Sequence, residues 1–199
     1  MPGLLLQEAK LFTCHGWDDA SYNAVVSQLT NDIFPRSGGT TGLRLPFFRH
    51  DQDQSLSAVL QLPHRWQPGT IVRPHAYVVP AAPIPLPRIA ILSGQWAFAG
   101  GKYPIGPWKR FEVALRLEPR AEYLIQIVDF SGGDGVPPPE GLLESDVFLL
   151  ELMRNGTDPR DTFTDSKPEG IAAANLALLT LSLHYQSCKG GTAPDDMPR

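Results

Sequence analysis

Hydrophobic and other residues alternate with a period of two along several stretches of this chain. Residues 111–117 give the clearest case, because Phe111, Val113, Leu115 and Leu117 fall on one face of an extended backbone. This alternation is typical of a half-buried strand. Residues 179–185, near the C-terminus, alternate in the same way. The pattern predicts further strands at residues 56–62, 70–79, 88–98, 122–130 and 146–154, and shorter ones at 4–10 and 43–48.

Turn-forming residues separate these stretches, and the chain contains 20 Pro and 18 Gly residues. Short strands divided by Pro and Gly turns are typical of an antiparallel β-sandwich or barrel. The only helix that the sequence suggests covers residues 22–29, so the predicted fold is all-β with at most one short helix. Eight side chains are predicted in the core from their period-two positions: Val113, Leu115, Leu117, Ile125, Ile127, Leu150, Leu181 and Leu183.

A length of 199 residues suits one domain with a real hydrophobic core. Within a single domain over residues 1–199, we expect residues 43–188 to form the sandwich. Residues 1–42 are expected to be an N-terminal arm or a first strand region, and residues 189–199 a flexible tail. The Pro-rich stretches at 78–87 and 136–139 are interpreted as stiff connecting or edge segments, because Pro cannot donate to a β-ladder.

Charge and cysteine content exclude several classes of function. The formal net charge is −4, without blocks of one sign, which argues against a protein that binds nucleic acid by neutralising phosphates. The two cysteines, Cys14 and Cys188, cannot form a zinc site alone and are interpreted as reduced thiols of a protein made in the cytosol, although one bridge between them is geometrically possible. No signal peptide or membrane-spanning segment is predicted.

No motif with established chemistry appears in the sequence. The histidines lack metal-ligand spacing, no G-x-S-x-G element is present, and the Gly-rich pieces lack the Lys that follows a phosphate loop. Two carboxylate pairs could serve a glycosidase, Asp161 with Asp165 and Asp134 with Glu140, but acidic residues in such loops ordinarily cap turns. We therefore expect no catalytic residue, no cofactor and no metal.

No metal is expected at any of the five histidines, which are His15, His50, His64, His75 and His184. His184 lies on the polar face of its strand and His75 shares a face with Arg73 and Tyr77, which suits cross-strand hydrogen bonding.

Five aromatic residues leave two interpretations open. They could line a sugar-binding groove, since aromatic faces stack on sugars, or they could pack in the core of the sandwich, which is the favoured interpretation. These residues are Trp66, Trp96, Trp108, Tyr77 and Tyr103.

The segment LQLPHRWQPGTIVRPHAYVV at residues 60–79 resembles a family of tailed-bacteriophage virion proteins. In that family a strand ends in Q-L-P-H, a W-K-E-G-T turn follows, and the next strand carries P-H-x-H-W. Tyr77 and Val78 depart from the pattern, at the places of the second His and the Trp. The matching residues are Gln61, Leu62, Pro63, His64, Trp66, Gly69, Thr70, Pro74 and His75.

Three further segments agree with the family in order and at compatible spacing. LMRNGTDPRDTF at residues 152–163 is similar to L-x-R-x-G-x-D-x-x-D-T-Y, and LLTLSLHYQSCKGGT at residues 178–192 to an L-L-E-V-D-F-H-Y-Q…G-S ending. Trp17, Asp18 and Asp19 match an opening W-D-D. The resemblance thus covers most of the chain from Trp17 onwards.

The resemblance implies a jelly-roll β-sandwich and a structural role in the virion. The implied function is a capsid decoration or cement protein on the head surface that binds the major capsid protein, made in the host bacterial cytoplasm. The alternatives are a neck or tail component, or a carbohydrate-binding receptor module. A homotrimer at three-fold positions of the capsid is expected, with a dimer as the second choice. The Pro-rich loops and the N-terminal arm are the candidate contacts, and no binding to nucleic acid or membrane is expected.

Overall fold

A computed structural model of the chain describes the backbone at 14–22, 26–27, 30–36, 39–102, 104–119, 124–165 and 174–188. Side chains are described from Leu45 to Ser187 within these ranges. Eleven strands lie in the described residues: β1 (Cys14–Tyr22), β2 (Val26–Ser27), β3 (Thr30–Arg36), β4 (Gly39–Phe48), β5 (Asp53–Gln61), β6 (Val72–Pro80), β7 (Arg88–Ala99), β8 (Lys109–Leu117), β9 (Gln126–Asp129), β10 (Val147–Asn155) and β11 (Leu176–Cys188).

The strands form two antiparallel sheets that pack face to face. One sheet has six strands, in the order β3-β4-β11-β6-β9 with β1 also paired to β11, and the other has the order β2-β5-β10-β7-β8. Apolar side chains from both sheets form one buried cluster, with Leu60, Leu92 and Leu150 from the five-stranded sheet against Val78 and Leu183 from the six-stranded sheet. The predicted all-β antiparallel sandwich is therefore confirmed, and the described residues contain no helix.

The predicted core is largely correct. Leu115, Leu117, Leu150, Leu181 and Leu183 are buried, and Val113 is half-buried against the same cluster. In β11 the predicted alternation is broken by a bulge between Leu178 and Thr180, so Leu178 and Leu181 both face inward although they are three residues apart. Leu179 packs instead against a small separate cluster around Val79.

The prediction for Ile125 and Ile127 is wrong, because both are exposed, at 59% and 60% of their surface. Val128 and Phe130 are buried in their place. On an extended backbone both faces of residues 124–130 carry apolar side chains, but Asp129 lies on the same face as Ile125 and Ile127. If that face pointed inward, the carboxylate of Asp129 would enter the core at a high cost in free energy. Asp129 instead accepts hydrogen bonds from the backbone N–H groups of Ser131 and Gly133.

The predicted helix at residues 22–29 is also wrong where the structure describes it. β1 ends at Tyr22, and Val26 and Ser27 pair with Ser57 and Leu56 of β5. Within the predicted arm, β1 pairs with β11 and β3 pairs with β4, and the β1–β11 register places Cys14 opposite Cys188. The predicted strand at residues 4–10 and the predicted tail at 189–199 lie outside the described residues.

The Pro-rich segment after β6 connects the two sheets and covers one end of the core. Ala82 and Ile84 are buried, whereas Leu86 is 54% exposed. The second Pro-rich segment is anchored by Val136, which is buried and exchanges two backbone hydrogen bonds with Val72 at 3.1 and 2.7 Å. Among the described residues, no helix is long and apolar enough to span a bilayer.

Candidate functional site

The carboxylates Asp161 and Asp165, which the sequence leaves as a possible glycosidase pair, are not arranged for acid–base chemistry. Asp161 is buried, and its two oxygens accept hydrogen bonds from Arg154 at 2.9 and 3.0 Å and from the backbone N–H groups of Ile91 and Phe163. Asp165 accepts a hydrogen bond from the backbone N–H of Ala174 at 2.6 Å. The carboxylate of Asp161 is thus enclosed by protein donors rather than open to a substrate. In the second pair, Asp134 and Glu140 are both exposed.

Two of the three histidines of the family-like segments, His75 and His184, come together on the outward face of the six-stranded sheet, whereas His64 contacts Ser145. The rings of His75 on β6 and His184 on β11 lie 4.2 Å apart between centroids, and Tyr77 contacts His75 edge to face at 5.0 Å. Nδ1 of His75 lies 3.2 Å from the carbonyl oxygen of Arg73. Throughout the described part of the chain, no group of three or more His, Cys, Asp and Glu side chains is placed to hold a metal ion.

The aromatic residues do not combine into one sugar-binding surface. Trp66 and Trp96 are buried, as the core interpretation predicts. Trp108 is 46% exposed, Tyr77 lies on the outward face of the other sheet, and Tyr103 lies outside the described residues.

A groove of about 550 Å³, which we call the polar groove, crosses the outward face of the five-stranded sheet over β10, β7 and β8. Its floor contains Gly94, where a Cβ would overlap the carbonyl oxygen of Glu151 and the ring of Phe111. Polar side chains form most of its lining: Ser93, Gln95, Arg110, Glu112, Glu151 and Asn155.

Hydrogen bonds between neighbouring strands hold these side chains in place. Ser93 Oγ donates to Asn155 Oδ1 at 2.8 Å, and Gln95 Nε2 donates to Glu151 Oε2 at 2.7 Å. At the rim, Arg160 donates two hydrogen bonds to Glu112 at 2.7 and 2.9 Å, and this guanidinium lowers the pKa of Glu112. These bonds therefore orient five of the lining side chains before any ligand arrives, those of Ser93, Gln95, Glu112, Glu151 and Asn155.

The sequence alone does not predict which residues line the groove. The period-two pattern does identify outward positions on each strand, but Glu151 and Gln95 are 56 residues apart in the chain. Only the strand order, with β10 between β5 and β7, places them side by side.

A second exposed surface lies at the edge of the six-stranded sheet, formed by Leu124, Ile125 and Ile127, which we call the β9 edge. These side chains are 57%, 59% and 60% exposed. β9 is the last strand of its sheet, paired on one side with β6 and on the other with no described strand. Ile127 pairs with Tyr77, so the apolar surface continues onto the outward face of β6.

Comparisons with known proteins assign no family to this chain. No protein-family model matches the sequence, and no curated protein matches it. The chain is similar to the solved structure of TmCBM61 in complex with β-1,4-galactotriose, at 10% identity over 86% of this chain and 88% of that chain, with a TM-score of 0.36. It is similar to the solved structure of the family 11 carbohydrate-binding module from Clostridium thermocellum in complex with a β-1,3-1,4-mixed-linked tetrasaccharide. The identity is 13% over 90% of this chain and 92% of that chain, and the TM-score is 0.31. It is also similar to a structure of infectious bursal disease virus, Gt strain, at 11% identity and a TM-score of 0.38; the match covers 98% of this chain but only 38% of that one.

Proposed function

We propose that this chain is a structural protein of a tailed-bacteriophage virion. In this proposal it is a decoration or cement protein that binds the major capsid protein on the outer surface of the head. The observation that carries the proposal is that the segments resembling the phage family are the segments that hold the sandwich together. A resemblance that falls on fold-determining contacts points to a common fold, because such contacts vary less than surface loops do.

The segment at residues 152–163 illustrates this point. Arg154 lies inside the sandwich, where it binds Asp161 and donates hydrogen bonds to the carbonyl oxygens of Ala174 at 2.7 Å and Phe163 at 2.6 Å. A Cβ at Gly156 would lie 2.7–2.9 Å from three backbone carbonyl oxygens, which explains why the motif has glycine there. The residues of this segment that match the family pattern thus serve the fold and need no catalytic explanation.

The segments at residues 60–79 and 178–192 contact each other directly in their described parts. Trp66 is buried and bridges to Ser187, and the backbone N–H of Gln67 donates to the carbonyl oxygen of Gln186 at 3.0 Å. Farther along, β6 and β11 pair over most of their length, with His75 opposite Ser182. This mutual contact supports a common fold for the chain and the phage family.

The β9 edge supports a role in assembly, because an edge strand beside exposed isoleucines offers a partner both apolar surface and backbone groups that no described strand pairs. A net charge of −4 suits a protein that sits outside the genome rather than on it. We propose the β9 edge as the contact with the major capsid protein. A homotrimer at three-fold positions of the head would repeat this contact three times, so that weak single contacts add as avidity.

The test uses purified phage heads that lack the protein, mixed with the wild type or with variants and then sedimented. We expect the wild-type protein to sediment with the heads and the double variant Ile125→Asp/Ile127→Asp to remain in solution. Val59→Asp is the matched control, because Val59 is 48% exposed on the other sheet. Failure of the wild type to bind heads, or equal binding by the double variant, would contradict the proposal.

A further inference from the structure

The polar groove is separate from the β9 edge, and its lining has the chemistry of a ligand site. Its volume of about 550 Å³ lies within the usual range of small-molecule sites, roughly 300–1,000 Å³. Two cross-strand pairs, Ser93–Asn155 and Gln95–Glu151, fix the side chains on the floor. A site whose groups are already oriented loses less conformational entropy on binding.

Several polar atoms of the groove remain available after these pairs have formed. Gln95 uses one N–H and Glu151 uses Oε2 in their mutual bond. Oε1 of Gln95 and Oε1 of Glu151 make no hydrogen bond with a described residue. The amide N–H₂ of Asn155 and the guanidinium of Arg110 likewise have no partner among the residues that the structure describes. Donors and acceptors are thus interleaved, which suits hydroxyl groups, since each hydroxyl both donates and accepts.

The groove has no excess of positive charge. Its lining contains one arginine, Arg110, and two carboxylates, Glu112 and Glu151, and Arg160 at the rim is shared between Glu112 and Asp158. A phosphate-rich ligand would need an excess of positive charge, which this surface does not provide. A hydroxyl-rich ligand without anionic groups matches both the charge of the lining and the interleaved donors and acceptors.

The position of the groove disfavours an extended peptide as the ligand. β10 and β7 supply six of the nine lining residues and are each paired on both sides, so their backbone N–H and C=O groups are used within the sheet. β8 is the edge strand, and a peptide that adds to the sheet would bind along its outer backbone edge rather than on the side chains above β10 and β7. Met153, on the outward face of β10, adds apolar surface for the C–H groups of a sugar ring, whereas the ring of Phe111 packs inward on Phe130.

We propose that the polar groove binds a neutral oligosaccharide, with Gln95, Glu151 and Arg110 as its main hydrogen-bonding residues. This inference goes beyond the proposed structural role and does not depend on it. It gives the protein a second partner, a glycan, on the sheet opposite the β9 edge.

The test is a glycan array that carries neutral and acidic oligosaccharides of two to six sugar units, followed by calorimetric titration with the best-retained neutral one. We expect Gln95→Ala, Glu151→Ala and Arg110→Ala each to weaken binding about tenfold or more, since each removes one or two hydrogen bonds. Arg116→Ala is the matched control for Arg110→Ala, because Arg116 is an exposed arginine on the outward face of the same strand.

Folding of each variant is checked by its melting temperature, and Arg110→Ala keeps the test valid because an exposed side chain can be removed without disturbing the core. The proposal is overturned if the array retains no neutral oligosaccharide, if only acidic ones bind, or if the three groove variants bind as tightly as the wild type. The groove variants should still sediment with phage heads, so the two proposals can fail independently.

Discussion

Arg154 and Asp161 form an ion pair in which neither side chain is exposed to solvent. Nε of Arg154 donates to Oδ2 of Asp161 at 2.9 Å, and Nη2 donates to Oδ1 at 3.0 Å. The same guanidinium also reaches the carbonyl oxygens of Phe48, Phe163 and Ala174. One arginine therefore joins β4, β10 and the segments on either side of residues 166–173.

Removing either partner of this pair should destabilise the protein strongly. Asp161→Asn leaves the buried guanidinium of Arg154 without a negative partner, and Arg154→Ala leaves the buried carboxylate of Asp161 without a positive partner. Breaking a buried ion pair in this way lowers the free energy of unfolding by about 3–5 kcal/mol. Chemical denaturation followed by circular dichroism measures the loss in the free energy of unfolding.

Arg160→Ala is the control for this prediction. Arg160 also binds two carboxylates, Glu112 and Asp158, but its side chain is 56% exposed. Exposed ion pairs contribute little to stability, so the free energy of unfolding of this variant should be close to that of the wild type. Comparable losses from Arg160→Ala and Arg154→Ala would show that burial does not set the strength of these pairs.

Gly156 should not tolerate a side chain. A Cβ at this position would meet the carbonyl oxygens of Gln52, His50 and Arg49 at 2.7, 2.8 and 2.9 Å, and backbone atoms cannot move aside as a flexible side chain can. We expect Gly156→Ala to lower the free energy of unfolding by about 1–3 kcal/mol. Gly101→Ala, whose Cβ would meet no atom within 4 Å, should change it by less than about 0.5 kcal/mol in the same denaturation experiment.

The phase of β9 can be tested with two neighbouring residues. Val128 is 1% exposed and Ile127 is 60% exposed. Val128→Asp buries an unpaired charge and should lower the free energy of unfolding by at least about 4 kcal/mol, with a matching fall in the melting temperature. Ile127→Asp should leave the melting temperature nearly unchanged. If Ile127→Asp proved the more damaging variant, the inward face of β9 would have been assigned incorrectly.

Asp51 should contribute stability at neutral pH that disappears in acid. The guanidinium of Arg49 binds this carboxylate and lowers the pKa of Asp51 from 3.8 to about 2. Because the folded-state pKa is lowered, the contribution is complete above about pH 4 and is lost as the pH falls towards 2. Asp51→Asn should therefore lower the melting temperature slightly at pH 7 and not at pH 2. The effect is small because both side chains are nearly half exposed.

Local pattern was sufficient to predict most of the strands and most of the core. The alternation at residues 111–117 and the Pro and Gly turns gave β8 and the sandwich, since both depend on neighbours in the sequence. It was insufficient at residues 124–130, where both phases are apolar and the decisive residue is Asp129. It was also insufficient at Leu179, because a bulge changes the phase without a sequence signal of its own.

The polar groove and the Arg154–Asp161 pair could not be predicted from the alternation along the chain. The groove combines residues whose proximity depends on which strands are neighbours: Ser93 and Asn155 are 62 residues apart and meet because β7 and β10 pair. Arg154 and Asp161 are only 7 residues apart, and they meet because the loop after β10 packs against β7, where Asp161 accepts a hydrogen bond from the backbone N–H of Ile91. The sequence leaves Asp161 as a possible acid or base, and its burial beside Arg154 assigns it to the fold.

The central claim is that this protein decorates the head of a tailed phage, and a cryo-EM reconstruction of the phage particle tests it most directly. We expect density for the sandwich on the outer capsid surface, grouped in threes at three-fold positions, with the β9 edge against the major capsid protein. Density for this protein confined to the neck or tail, or its absence from the particle, would contradict the account.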